Sequence, residues 1–279
     1  MLKSKKILLH IASQVIILMV LTVGIIYPFM PGDYDRLAMP LSILIQGLGI
    51  VGVLLSLLGI LWLIFPNLFK LFANTLLYSI AFLTIIFVFF GYLLAGILFS
   101  FIILTLLALI YINVKKKLRE ATNKKSFSFI PLYLIVIPLF ILMIQLLIAK
   151  PITDWSRDRT IANAKEYIRD IENFKSKNGY FPKTLQAMYK DYYPQTVGVE
   201  KFHYLPDNNS YNISFEQPRF FLDIVGTKEW VVYNPQDKHK VYSHTSWFLL
   251  LSPEESEIRQ GWYSSLTTKH KHWKSFLFD

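Results

Sequence analysis

The sequence predicts a protein of two materials: an all-α membrane domain of five transmembrane helices, followed by an extracytoplasmic α+β domain. Three observations carry this reading. Five uncharged apolar runs fill residues 1–149; 18 of the 29 Lys and Arg and 16 of the 19 Asp and Glu lie after them; and that second part alternates short aromatic and β-branched runs with turn residues. The whole chain is 53% hydrophobic and 17% charged, against about 45–50% and about 25% in ordinary soluble domains. A disordered or collagen-like chain is excluded.

A hydrocarbon core of roughly 30 Å is crossed by about 20 apolar residues in a helix. The first run, 7–29, has His10, Ser13 and Gln14 as its strongest polar residues, and the second, 41–65, lies between Pro40 and Pro66. Between Lys70 and Lys115 lie 44 uncharged residues. As one helix they would reach about 66 Å at ~1.5 Å per residue, twice the core. They are therefore two passes, 71–90 and 93–113, with the turn near Gly91 and Tyr92 and with Gly96 as a competing break. The fifth pass is 129–149. The first run is expected to stay as an anchor, because its apolar stretch exceeds the roughly 7–15 residues of a signal peptide and no small-x-small site precedes Asp33.

Orientation follows from Lys and Arg in the short loops, which are in excess on the cytoplasmic side. Lys3, Lys5, Lys6, Lys70, Lys115, Lys116, Lys117, Arg119, Lys124 and Lys125 all fall on one side of a five-pass chain; the other has Arg36, beside Asp33 and Asp35. The N-terminus is expected in the cytoplasm and residues 150–279 outside it. The run 115–125 reads as this topology signal, with anionic lipid as its alternative contact at about 1 kcal/mol per Lys. No nucleic-acid partner is expected.

The spans hold no Asp, Glu, Lys or Arg, which argues against an ion-coupled pump. His10, Gln14, Gln46, Asn74 and Gln145 suit hydrogen bonds between helices, or the lining of a small cavity. Gly49, Gly52, Ser56 and Gly59 recur on one helix face and form a candidate packing seam, inside the bundle or between two copies.

After the last span Pro151 is expected to break the helix. An amphipathic helix follows, with Trp155, Ile161, Ala164, Ile168, Ile171 and Phe174 at near 3–4 spacing, Lys175 and Lys177 at its C-terminus and Gly179 as its stop. A short helix is expected over 184–189, carrying Leu185 and Met188. Strands are expected at 202–205, 211–215, 220–225 and 230–233, and a further one at 240–243; 206–209 makes a hairpin, and 247–251 is buried. Ser252-Pro253-Glu254-Glu255 has the order of a capping box, which starts a final helix of about a dozen residues. The domain boundaries read as 150–245, with 246–279 as a C-terminal extension.

This order, with Gly179, Phe181 and Pro182 in the turn, Leu185 and Met188 after it, and Tyr204, Tyr211, Phe215, Trp230 and Tyr233 in the strands, resembles type II secretion pseudopilins and related type IV pilin-like proteins over residues 130–235. The resemblance implies a pilin-like fold and a bacterial cytoplasmic membrane. Lys124-Lys125-Ser126-Phe127-Ser128-Phe129 lacks the family's processing Gly and following Glu, and 223–237 lacks its acidic calcium loop. The fold is carried over and the filament is not.

With no cysteine, thiolate metal sites, disulfides and Cys acylation are all excluded. No phosphate loop, zincin or Gly-x-Ser-x-Gly motif occurs. His203, His239, His244, His270 and His272 lack metal-ligand spacing, and no catalytic, cofactor or metal site is expected. The function read from these features is a non-catalytic, membrane-anchored interaction or assembly module whose residues 150–279 meet an envelope protein or polymer, with the lipid bilayer as the other partner. Tyr192, Tyr193, Trp262, Tyr263 and Trp273 are its candidate contact patch. One alternative is a transport or permease-associated subunit using Gln14, Gln46 and Asn74; another is an envelope hydrolase using His239 or His244.

Overall fold

The computed structural model describes residues 2–124, 129–188, 191–207, 209–224, 228–239, 241–243, 249–251 and 263–278. The chain forms two compact units, a helical one of Met1–Ile25 with Pro40–Leu147 and one holding the main sheet, Ile26–Met39 with Ile148–Asp279.

Among the described residues, five helices are long and apolar enough to cross a membrane: α1 (Leu2–Ile26), α2 (Ala38–Ile64), α3 (Phe69–Ala95), α4 (Ile97–Lys124) and α5 (Ile130–Asn178). The uncharged stretch between Lys70 and Lys115 turns at Gly96, not near Gly91. Gly96 has φ +83° with open space where a side chain would stand, whereas a Cβ on Gly91 would meet Ile103 Cδ1 at 2.2 Å. Gly91 is a contact point between α3 and α4, and Gly96 supplies the left-handed backbone that a one-residue turn demands. Trp62, Phe72, Leu76 and Leu118 pack one cluster of this unit, and Phe87, Phe99 and Ile103 another. Its outer faces stay apolar, with Leu54, Ile85 and Leu98 at 70%, 71% and 77% exposure. Water would penalise such a surface at about 25 cal/mol per Å²; lipid does not.

Pro151 does not break α5, which runs for 49 residues through it. A proline removes one helical hydrogen bond and crowds the preceding turn. Beyond it, Ile161, Ala164, Tyr167 and Ile171 are buried against the sheet, and that packing holds the helix together. Gly179, at φ +81°, closes it by donating its N–H to the Lys175 carbonyl at 2.8 Å.

The sheet unit continues with a 3-10 turn, Leu185–Met188, where a helix to 189 was expected. It then adds β1 (His203–Pro206), β2 (Tyr211–Gln217), the single helical turn α6 (Phe221–Ile224), β3 (Lys228–Tyr233), β4 (Val241–Ser243), β5 (Leu249–Leu251), β6 (Tyr263–Thr267) and β7 (Trp273–Phe278). The main sheet is antiparallel in the order β1-β2-β3-β7-β6, and β4 pairs with β5 apart from it. One face lies on α5, where Val199, Phe202, Tyr211, Ile213, Phe215, Val231 and Trp273 are buried. The reverse face buries Val232 and Phe276, with Trp230 against them.

Two expectations need correction. Residues 220–224 form a turn and not a strand: Phe220, Phe221 and Leu222 are consecutive apolar residues without alternation, and Phe220 is buried against Phe29 with ring centroids 4.7 Å apart. The 246–279 segment is no separate extension, because β7 lies inside the sheet between β3 and β6. The final helix expected from 253 falls outside the described residues.

The link between α1 and α2 belongs to the sheet unit. Met30 accepts from Val197 N–H at 3.0 Å, Gly32 N–H donates to Gln195 at 3.2 Å, Asp35 N–H to Val197 at 3.0 Å, and Pro28 accepts from Gly198 N–H at 2.7 Å. Gly198 is required there, since a Cβ would stand 2.8 Å from the Pro28 carbonyl oxygen. Pro28 and Phe29 are buried.

Candidate functional site

The small residues of α2 face α5. A Cβ on Gly49 would lie 2.2 Å from Ile141 Cγ2, one on Gly52 2.8 Å from Pro138 Cγ, and one on Gly59 2.9 Å from the Pro131 carbonyl oxygen. Pro138 has no N–H, so the Leu134 carbonyl loses its helical donor. Ser56 Oγ donates to that carbonyl at 3.0 Å. The seam is filled by the chain's own fifth helix, and Ser56 satisfies the acceptor that the proline leaves open.

Near the start of α2, Gln46 is fully buried. Its Nε2 donates to Ser42 Oγ at 2.9 Å, Ser42 Oγ donates to the Ile25 carbonyl at 2.7 Å, and Gln145 Nε2 reaches the Gln46 carbonyl at 3.5 Å. Among the described residues Gln14 Nε2 and Gln145 Oε1 have no hydrogen-bond partner. Asn74 is exposed, so it does not share an enclosed cavity with Gln46.

In the sheet unit the strongest electrostatic centre is Glu229 on β3, which is 2% exposed. Arg157 of α5 places both Nε and Nη2 at 2.8 Å from Oε1, Ser275 of β7 donates to the same oxygen at 2.6 Å, and Arg219 Nε stands 3.7 Å from Oε2. Arg157 Nη1 also donates to Asp154 at 2.8 Å, and Lys150 to Asp154 at 2.6 Å. Burial raises the Asp154 carboxyl, but the hydrogen bonds and charges of Lys150 and Arg157 outweigh it and hold the group below the usual range. Three positive charges, Lys150, Arg157 and Arg219, stand against the two carboxylates of Asp154 and Glu229. One sequence signal pointed here: strand alternation puts Glu229 on the same face as Val231 and Tyr233, a core face on which an acid needs a partner.

His203 is exposed beside the Trp230 ring, whereas His239, His270 and His272 are turned inward or paired. His239 is buried, with Nδ1 3.1 Å from the Asp237 carbonyl oxygen and Nε2 3.1 Å from that of His272. Burial lowers its pKa, against the two carbonyl oxygens, which favour the protonated ring. His270 meets Asp158 at 2.8 Å, and His272 meets Asp237 at 3.0 Å. Lys269 also pairs with Asp158. His244 lies outside the described residues, among which no group of three metal-binding side chains occurs.

Of the five aromatics proposed as a contact patch, Trp273 and Tyr192 are packed within the fold. Trp273, which opens the interior strand β7, is 7% exposed and packs on Phe215 and Tyr233. Tyr192 stacks on Tyr167 at 4.3 Å and donates its hydroxyl to Asp170 at 2.8 Å. Tyr193 is exposed; Trp262 and the Tyr263 side chain fall outside the described residues. No family model, curated protein or solved structure matches this chain.

Proposed function

We propose that this is a multi-pass protein of the bacterial cytoplasmic membrane whose sheet unit, on the outer side, is a non-catalytic interaction or assembly module of the envelope. The observation that carries the reading is the membership of residues 26–39 in the same unit as 148–279. In a five-pass chain these are the segments on the side opposite the Lys-rich loops. The unbroken α5, its Gly179 stop and the antiparallel sheet that follows support the pilin-like reading of 130–235. The interaction role is favoured over hydrolysis by His239 because both of its ring nitrogens face carbonyl oxygens within the fold. The unsatisfied Gln14 and Gln145 amide atoms favour a transport-associated subunit as the second reading.

Two experiments test this. A green fluorescent protein fused after Asp279 is expected to stay dark; fluorescence would overturn the topology. A pull-down from native membranes in mild detergent, comparing the full chain with one ending at Lys150, is expected to yield an envelope protein or polymer with the full chain alone. If neither sample retains a partner, the transport reading replaces the interaction reading.

A further inference from the structure

We infer that the sheet unit carries a lipid-seated face, built from the 26–39 link together with Leu222 and Trp155, which rests in the headgroup layer of the bilayer. The inference depends on the reading of the five helices as spans, with 26–39 and 148–279 on one side.

Tyr27, Met30, Tyr34, Leu37, Leu222 and Trp155 are between 36% and 46% exposed. They are not loose side chains on a loose loop: the hydrogen-bond ladder to 195–198 fixes the link, and Pro28, Phe29 and Ala38 beside them are buried. Leu222 is tied to the same segment through Phe220, which stacks on Phe29. A short link between two helices that faced water would be expected to be polar at such positions.

Chain continuity identifies the occupant. Tyr27 directly follows α1 and Leu37 directly precedes α2, so both are at the ends of lipid-facing helices. Trp155 lies five residues beyond Lys150, about 7.5 Å along the helix at ~1.5 Å per residue. The headgroup layer adds about 5–8 Å on each side of the hydrocarbon. Tyr and Trp concentrate in that layer because one end of each ring is apolar and the other wet. Two cations accompany them: Arg36 is exposed in the link, and the Arg159 guanidinium lies 5.9 Å from the Trp155 ring, both suited to lipid phosphates.

The chain has no cysteine, so single labels can be placed directly. Leu37→Cys, Leu222→Cys and Trp155→Cys would each carry an environment-sensitive fluorophore on the full-length protein, reconstituted in phosphatidylcholine and phosphatidylglycerol vesicles with nitroxides at the headgroup or deep in the acyl chain. Tyr193→Cys serves as the water-facing control and Leu57→Cys, exposed on α2, as the span control. Headgroup nitroxide is expected to quench the three test sites roughly twofold or more above Tyr193→Cys, and the deep nitroxide to quench Leu57→Cys. Deep quenching at Leu57 with test sites no different from Tyr193 would overturn the lipid-seated face and leave the spans standing. Loss of the Leu57 signal would overturn the span reading, and this inference with it. Shielding of the test sites by a second copy, read as concentration-dependent energy transfer, also counts against lipid. Circular dichroism verifies the fold of each variant, and Tyr34→Cys replaces any that fails.

Discussion

Glu229→Gln is expected to be the most damaging conservative change in the sheet unit. It keeps the size of the side chain and removes the charge that faces Arg157 at 2.8 Å and Arg219 at 3.7 Å, in a site 2% exposed. Both guanidiniums then lose the buried carboxylate they share, and Arg157 keeps Asp154. Removing one partner of a buried pair costs about 3–5 kcal/mol. Weakening of the Ser275 contact adds to this, and the partial exposure of the two arginines subtracts, so about 3 kcal/mol is the working figure. For a unit of this size each kcal/mol shifts the melting midpoint by about 2–4 °C, giving a fall of roughly 6–12 °C. The assay is thermal unfolding of the full-length protein in detergent, followed by near-ultraviolet circular dichroism, with Lys228→Gln as the control. Lys228 pairs with Glu216 at 3.5 Å on the surface, where such a pair contributes at most about 1 kcal/mol. A Glu229→Gln midpoint within about 2 °C of the parent would refute the assignment of the cluster as a structural centre.

In the helical unit, Ser56→Ala leaves the Leu134 carbonyl without its donor and is expected to cost about 0.6–1.7 kcal/mol in detergent–SDS unfolding. Gly49→Leu, by driving a side chain into Ile141, should cost about 1–3 kcal/mol in the same titration. A Gly49→Leu variant as stable as the parent would refute the close α2–α5 approach. Because burial lowers the folded-state pKa of His239, its contribution is complete above the ordinary value of about 6.5 and declines as pH falls below it; His239→Asn should flatten the acid-side fall of the melting midpoint while lowering the midpoint at neutral pH. Burial also pushes the Tyr167 and Tyr211 hydroxyls well up, Tyr211 with further help from its hydrogen bond to Glu172. Their phenolate absorbance should be missing at about pH 11 and emerge only with unfolding.

The five long apolar helices were legible because length and composition mark them together, and no tertiary detail is needed to read them. The turn between α3 and α4 was less so: Gly91 and Gly96 are alike as letters, and only the approach of Ile103 to one and the positive φ of the other tell them apart. Strands β1 to β4 followed alternation, whereas 220–224 did not alternate and folded as a turn. Strands β6 and β7 were missed because Tyr263–Thr267 is polar and Lys269 to Lys274 is dense in charge, so neither reads as a sheet core by period alone. That omission placed Trp273 on the surface, when its register opposite Tyr233 buries it. The Glu229 cluster joins α5, the stretch before α6, β3 and β7, and such convergence is a property of topology and not of any local window.

The pairing of Pro31 with Thr196 joins positions more than 160 residues apart. At synthesis rates of about 5–20 residues per second, residues 28–35 wait roughly 8–32 s for their partners, while the four further apolar helices are made. During that interval their backbone groups depend on water, a chaperone or the bilayer surface. Under the proposed topology, completion of the sheet unit is thus a late checkpoint on biogenesis: a chain whose later spans inserted the wrong way round would present the first link and the last domain in different compartments, leaving both unfinished and open to proteolysis.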